Sequence, residues 1–173
     1  MVKRADDAAA AEAQKLAADL EKLGCPSGKA VKGKNLKIMK EFLDDDDEWL
    51  PTKLERQVPL FDRDPRVGLV YSDCVNLRDD GSAFRQYEKL RPVAGNAFGA
   101  LLSQYCVTLT TAVVRRRIVQ DHVLWFDPAF TVLPDADFFL RVAFHCALDW
   151  VDEPLALVRL HRQSAMHVGR SRL

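Results

Sequence analysis

The chain contains no apolar run approaching the roughly 20 residues that a membrane-spanning helix requires. It carries no surplus of either charge: 25 Lys and Arg face 25 Asp and Glu. A balanced chain offers no overall field for nucleic acid or an anionic membrane surface, so a phosphate-bearing partner would need a local site. Cysteine is sparse. Cys25, Cys74, Cys106 and Cys146 lie far apart, and no Cys-x-x-Cys pair occurs. That spacing argues against a disulfide framework or a zinc site and fits reduced thiols in a cytoplasmic protein. Cys106 and Cys146 sit in apolar contexts and are expected in the core. The opening Met1-Val2-Lys3-Arg4-Ala5 has no apolar stretch behind its charges, unlike a secretory leader. There is no internal repeat.

What the chain does have is enough apolar material for one core, with 48% hydrophobic and 29% charged residues among 173. Residues 5–23 are alanine-rich, with Ala9, Ala13, Leu16, Leu20 and Leu23 at helical spacing and Asp6 and Asp7 near the positive N-terminal end. Gly24 and the Pro26-Ser27-Gly28 turn stop this added N-terminal helix. A basic linker follows to residue 40. From residue 41 the pattern predicts a second unit running to residue 173. Leu54, Val58 and Phe61 predict a helix opened by Pro51 and kinked or ended early by Pro59. Residues 67–71 predict a short apolar strand, and Asp79-Asp80-Gly81-Ser82 predicts a hairpin turn. Residues 97–105 read as helix, 106–114 as a buried strand and 115–122 as a short helix. Residues 135–147 form a longer helix, followed by two short strands at 148–151 and 155–160. Alternating strands and helices give an α/β fold, a mixed sheet flanked by helices.

The sharpest chemical feature is the run Asp44-Asp45-Asp46-Asp47-Glu48. Adjacent carboxylates repel, so they require solvent or a cation. Apolar Phe42-Leu43 enter the run and Trp49-Leu50 leave it. That flanking places the carboxylates at the end of a buried strand, where ligand sites of open α/β sheets lie. Hard oxygen ligands there suit Mg²⁺ or Mn²⁺, and such a metal could carry a diphosphate. The alternative is a solvated acidic loop. Asp135 follows Pro134 at a helix start, so a capping role alone would account for it. Asp137 is either a surface helix residue or a rival to Asp135. His161 is a metal-site candidate or a structural histidine. His161 and His167 lack the further ligands that zinc demands. Arg115, Arg116 and Arg117 read as surface charge or as a phosphate contact.

Phe42-Leu43-Asp44-Asp45-Asp46-Asp47-Glu48-Trp49-Leu50-Pro51-x-Lys53-Leu54-Glu55-x-Gln57 resembles the FLDxDDxWxPxKLExQ segment of family 2 glycosyltransferases. The likeness continues through residues 64–73 and then through Thr110 with Arg115-Arg116. It resumes at Phe126-Asp127, at residues 135–141, and at Asp152-Glu153-Pro154-Leu155 with Arg159-Leu160-His161. The order and spacing of these segments, across residues 41–165, are what make the resemblance specific. It implies a partial GT-A-like sheet and an Asp-x-Asp pair, Asp44 and Asp46, that binds a nucleotide-diphospho-sugar through Mn²⁺ or Mg²⁺. Asp46, Asp44 and His161 would surround the metal. Asp135 would be the general base toward an acceptor hydroxyl, giving inversion. Asp73 would lie on the acceptor side. The partners implied are a nucleotide sugar and a carbohydrate or lipid-linked acceptor.

The chain also departs from the family pattern. Pro134 replaces the leading glutamate of its Glu-Asp motif, and Trp125 replaces the glycine of its Gly-Phe-Asp motif. The strand–helix–strand half that holds the nucleoside is not recognisable in residues 1–33. A sheet shortened in this way leaves an edge for the N-terminal helix, a partner or a second copy to cover. It also opens the alternative of a shortened relative that binds without catalysis.

Overall fold

The computed structural model describes residues 39–161; the predicted N-terminal helix, most of the basic linker, Cys25 and His167 lie outside them. Six strands form one mixed sheet. They are β1 (Met39–Glu41), β2 (Glu48–Trp49), β3 (Val67–Arg78), β4 (Ala83–Arg85), β5 (Val113–Arg115) and β6 (Ala147–Leu160). Their order is β1-β5-β3-β6-β2, with β4 also pairing with β3. Among the described residues, only β3 and β6 run parallel, and every other pairing is antiparallel. The helices are α1 (Lys53–Arg63), α2 (Phe98–Ser103), α3 (Arg116–Asp121) and α4 (Pro134–His145).

Side-chain alternation along the central strands assigns the helices to two faces. Leu69 and Tyr71 of β3 and Val114 of β5 pack with Phe138, Phe139 and Val142 of α4. Val67 and Val70 of β3 and Val113 of β5 pack instead with Leu54, Leu60 and Phe61 of α1. Burial on both faces explains why β3 begins as a continuous apolar run. Cys106 and Cys74 are buried and Cys146 is half-buried, all three as free thiols.

Several elements differ from the sequence pattern, each for a physical reason. β3 does not end at Tyr71 but runs to Arg78, because its polar residues find partners inside the protein. Asp73 accepts from the Cys74 and Tyr87 amides at 2.8 and 3.1 Å and from Arg85 Nε at 2.7 Å. Asn76 donates to Gln86 Oε1 at 2.9 Å. The two predicted C-terminal strands are one strand, β6. Its register against β3 jumps from Val151 to Pro154, so Asp152 and Glu153 form a bulge rather than a turn. Residues 106–114 are largely buried, but only Val113 and Val114 belong to a strand; a 3-10 turn, Leu109–Thr111, precedes it. Helix α1 continues through Pro59 to Arg63. Pro59 and Glu55, whose carbonyl loses the helical partner, are both exposed, so water can take that bond. Residues 39 and 40, assigned to the linker, join Glu41 in β1.

Arg115 is not a surface charge. Its guanidinium donates to the Val67 carbonyl at 2.6 Å and to the Phe61 carbonyl, and it lies 5.0 Å from the Phe61 ring centre. It therefore ties β5 to β3 and α1. Arg117 likewise donates to the Pro65 carbonyl at 2.8 Å.

Gly68 marks the closest approach in the sheet region. A Cβ placed there would come within 2.5 Å of Cys146 Cβ and would also strike its Sγ. Gly68→Ala is therefore predicted to lower unfolding free energy by about 1–3 kcal/mol in urea titrations. In a Cys146→Gly background the same substitution costs less; strictly additive losses in the double variant would show that this contact is not the cause.

Candidate functional site

The acidic run leaves β1, the outermost strand among the described residues, in a tight turn closed by the Asp47 amide donating to the Asp44 carbonyl at 3.1 Å. Aspartate suits the first position of such a turn. The turn sends the four carboxylates in different directions. Asp44 and Asp45 are exposed, Asp46 is half-buried and Asp47 is buried. A buried strand at this site is β6, whose residues Leu155 to Val158 are buried. Strand β2 pairs with β6 through Glu48–Leu157 and Trp49–Ala156, which brings the run to the C-terminal end of β6.

Asp47 received no role from the sequence, yet it connects three distant segments. Its carboxylate accepts from the Thr110 hydroxyl and, at 3.1 Å, from the Arg159 amide. Neighbouring contacts reinforce the junction. Trp49 Nε1 donates to the Thr110 carbonyl at 2.9 Å, Gln57 Nε2 donates to the Thr111 carbonyl at 2.8 Å, and Arg159 pairs with Glu48. Lys53 is buried with its ammonium 4.8 Å from the Trp49 ring centre. The matching signal in the sequence was the inward-facing periodicity Trp49, Lys53, Gln57, which polarity concealed.

His161 Nε2 lies 2.7 Å from Asp46 Oδ2, although the two are 115 positions apart. The sequence resemblance named both. Asp135 falls in the first turn of α4, one residue beyond Pro134; the residue at the cap is Leu133 and no side chain caps the helix. Asp135 is therefore not an N-cap. Asp137, its rival, is held by Arg141 at 2.6 Å in a helical i, i+4 ion pair. Asp73, the expected acceptor-side residue, is fully buried and spends its oxygens on β3, Arg85 and the 3-10 turn Gln86–Glu88.

The electrostatics link the run to α4. Partial desolvation raises the Asp44 carboxyl above the ordinary range, and the charges of Asp46, Asp135 and Asp45 raise it further. Burial likewise raises Asp135, opposed by the backbone N–H groups of Ala136 and of Asp135 itself at the helix start. Burial drives Asp47 up to about 6, against the hydrogen bonds from Thr110 and Arg159. The Tyr105 hydroxyl, missed by sequence reasoning, is buried with no hydrogen-bond partner, and the Asp135 charge bears on it.

The charges of Asp46, Asp135 and Asp45 act against Asp44, a repulsion that a cation would relieve. Among the described residues, no group of three His, Cys, Asp or Glu side chains is arranged to hold a metal ion. The carboxylate of Asp46 is an oxygen ligand of the kind that suits Mg²⁺ or Mn²⁺, and the imidazole of His161 lies beside it. Such ions commonly take one or two protein ligands and fill the remaining positions with water and substrate phosphate oxygens.

No protein-family model matches the chain, and no curated protein sequence matches it. Among solved structures, the fold is similar to the crystal structure of S. aureus TarS 1–349, with a TM-score of 0.49 and 14% sequence identity. The likeness covers 76% of this chain and 37% of that one, so this chain spans little more than a third of its length. No helix among the described residues is long and apolar enough to cross a membrane.

Asp47 sets a measurable pH dependence in metal-free protein. Its folded pKa, about 6, lies above the ordinary carboxyl value of 3.8. The folded state thus holds a proton more tightly, and this contribution to stability is complete below about pH 4 and lost as pH rises through about 6. Roughly 2–3 kcal/mol is at stake, and Asp47→Asn should remove that step while keeping an acceptor oxygen. Asp47→Ala should instead cost about 2 kcal/mol at neutral pH, because it leaves the Thr110 hydroxyl and Arg159 amide without their acceptor. Urea titrations across pH 4–8 read both effects.

Proposed function

We propose that this chain contains the metal-binding and acceptor-side half of a family 2 type glycosyltransferase, one that transfers sugar from a nucleotide-diphospho-sugar to an acceptor hydroxyl with inversion. The observation that carries the reading is the 2.7 Å contact between Asp46 and His161. The motif series assigns both residues to one metal and diphosphate site, and 114 residues of intervening chain give no local reason for them to meet. The electrostatic coupling of Asp44 to Asp135 supports the same reading from a third segment.

Asp46 and His161 would hold Mn²⁺ or Mg²⁺, with Asp44 beside them on the same turn. When bound, the metal would neutralise charge on the departing diphosphate. Asp135 has the complementary task. The acceptor oxygen bonds to the anomeric carbon as that carbon's bond to the diphosphate breaks, and the diphosphate leaves with the bonding electrons. The acceptor proton passes to Asp135. A carboxyl raised by burial is a stronger base than an exposed one, while Arg141 keeps Asp137 occupied. Entry of the acceptor opposite the leaving group inverts the anomeric centre.

The test combines calorimetry, melting and turnover. Mn²⁺ should raise the melting temperature and support uridine or guanosine diphosphate binding in the wild type, and both effects should vanish in Asp46→Ala and His161→Ala. Asp135→Asn should bind the diphosphate normally and lose about 100-fold or more in sugar transfer. Metal-dependent binding without transfer in the wild type would favour the binding-module alternative. Indifference of all variants to Mn²⁺ would remove the site assignment altogether.

A further inference from the structure

Two histidines from different helices meet at the surface of the protein. His122 caps the C-terminal end of α3, its amide donating to the Ile118 carbonyl at 3.3 Å. His145 is the last residue of α4. Both are exposed, and their rings overlie one another with centres 3.7 Å apart and planes 11° from parallel. On its other side His145 meets Phe144 edge-on at 5.2 Å, and Phe144 in turn meets Phe98 at 5.4 Å. His145 is thus held between a phenyl ring and an imidazole. The pair stands apart from the acidic turn. Asp135 lies in the first turn of α4 and His145 closes it, about 15 Å further along the helix at roughly 1.5 Å per residue.

A neutral imidazole carries a lone pair on one ring nitrogen, and a protonated one carries none. Slight desolvation, and then the charge of His122 stacked upon it, lower His145 below the usual histidine range, which favours the neutral form. Two ring nitrogens on one tetrahedral metal, each bonded at about 2.0–2.1 Å, sit about 3.4 Å apart. Rings overlying at 3.7 Å bring their atoms to nearly that spacing, and rotation about the soft Cβ–Cγ torsions selects the atoms that converge. The C-terminal end of α4 contributes the negative end of a helix dipole, which favours a cation. Cys146, next in the chain, is not a third ligand. Its thiol donates to the Val142 carbonyl at 3.2 Å, and burial pushes it up to about 12.

We propose that His122 and His145 form an open site for a borderline divalent cation such as Ni²⁺ or Zn²⁺, which joins the C-terminal ends of α3 and α4. No third His, Cys, Asp or Glu completes the set among the described residues, so this is not the closed four-ligand site of a structural zinc; water fills the other positions. Imidazole nitrogen selects these metals over Mg²⁺ and Mn²⁺, the reverse of the preference of the Asp46 carboxylate. The site is independent of the glycosyltransferase reading. Its occupancy pins the point at which the chain leaves α3 for the segment that leads into Asp135.

The metals themselves are the probes. Ni²⁺ and Zn²⁺ are titrated into the metal-free full chain under reducing conditions, with calorimetry and melting temperature as readouts. The wild type should bind an equivalent of either metal and melt higher with it. His122→Phe and His145→Phe keep an aromatic ring in the stack and remove the ligand. Each should melt like the wild type without metal and bind at least about tenfold more weakly, since even a partner behind a metal ligand is worth that much. Millimolar Mg²⁺ should not compete. A wild type that binds neither Ni²⁺ nor Zn²⁺ overturns the proposal, whatever the variants do. Undiminished binding in either phenylalanine variant also overturns it, because the stack is then a packing contact alone. Displacement by Mg²⁺ does the same by assigning the metal to carboxylates.

Discussion

The buried carboxylate of Asp47 is the interaction on which the candidate site depends. It accepts from Thr110 and Arg159, so the acidic turn, the 3-10 turn before β5 and the C-terminal end of β6 meet at one residue. Burying a carboxylate is unfavourable unless hydrogen bonds replace its water, and two of them do so here. The direction of Asp47 in turn decides the direction of its neighbours. With Asp47 turned inward, Asp46 faces His161 and Asp44 faces the solvent side near Asp135. Consecutive, identical side chains thereby meet different surroundings, because the turn separates them.

Much of the fold was legible because apolar spacing reports burial directly. The periodicity of α1 and α4 and the glycine-bearing turn before β4 all appear where the pattern placed them. Polar residues inside elements were the source of error. The expected strand stopped at residue 71, yet β3 continues through Ser72, Asp73 and Asn76 because each is satisfied within the protein. Asp152-Glu153-Pro154 suggested a break, yet the sheet absorbs it as a bulge. Hydrogen-bond partners many residues away decide such cases, and no local window contains them.

The candidate site was legible to a different degree. Asp44, Asp46, Asp135 and His161 could be named from an ordered series of short motifs, since each keeps its residue type within a recognisable neighbourhood. Asp47 could not, because in the run it is indistinguishable from the aspartates beside it. Tyr105 could not either: nothing around it in sequence distinguishes a buried, unsatisfied hydroxyl from an ordinary core tyrosine. Asp73 shows the reverse error, an acidic residue beside a motif that turned out to clamp Arg85 and a turn.

The shortness of β2, which follows the acidic turn, has a consequence for affinity. β2 contributes only two residues, Glu48 and Trp49, so few ladder bonds hold that side of the turn in place. Most of its positioning comes from side chains: Asp47, Trp49 and the Glu48–Arg159 pair. Any ligand that needs the turn in this arrangement draws on the fraction of molecules in which that small assembly is closed, and its apparent dissociation constant scales inversely with that fraction. Occupancy at this site is therefore partly a measure of local folding. A substitution at Thr110, which holds Asp47 and not the ligand, would weaken ligand binding by depopulating the closed turn.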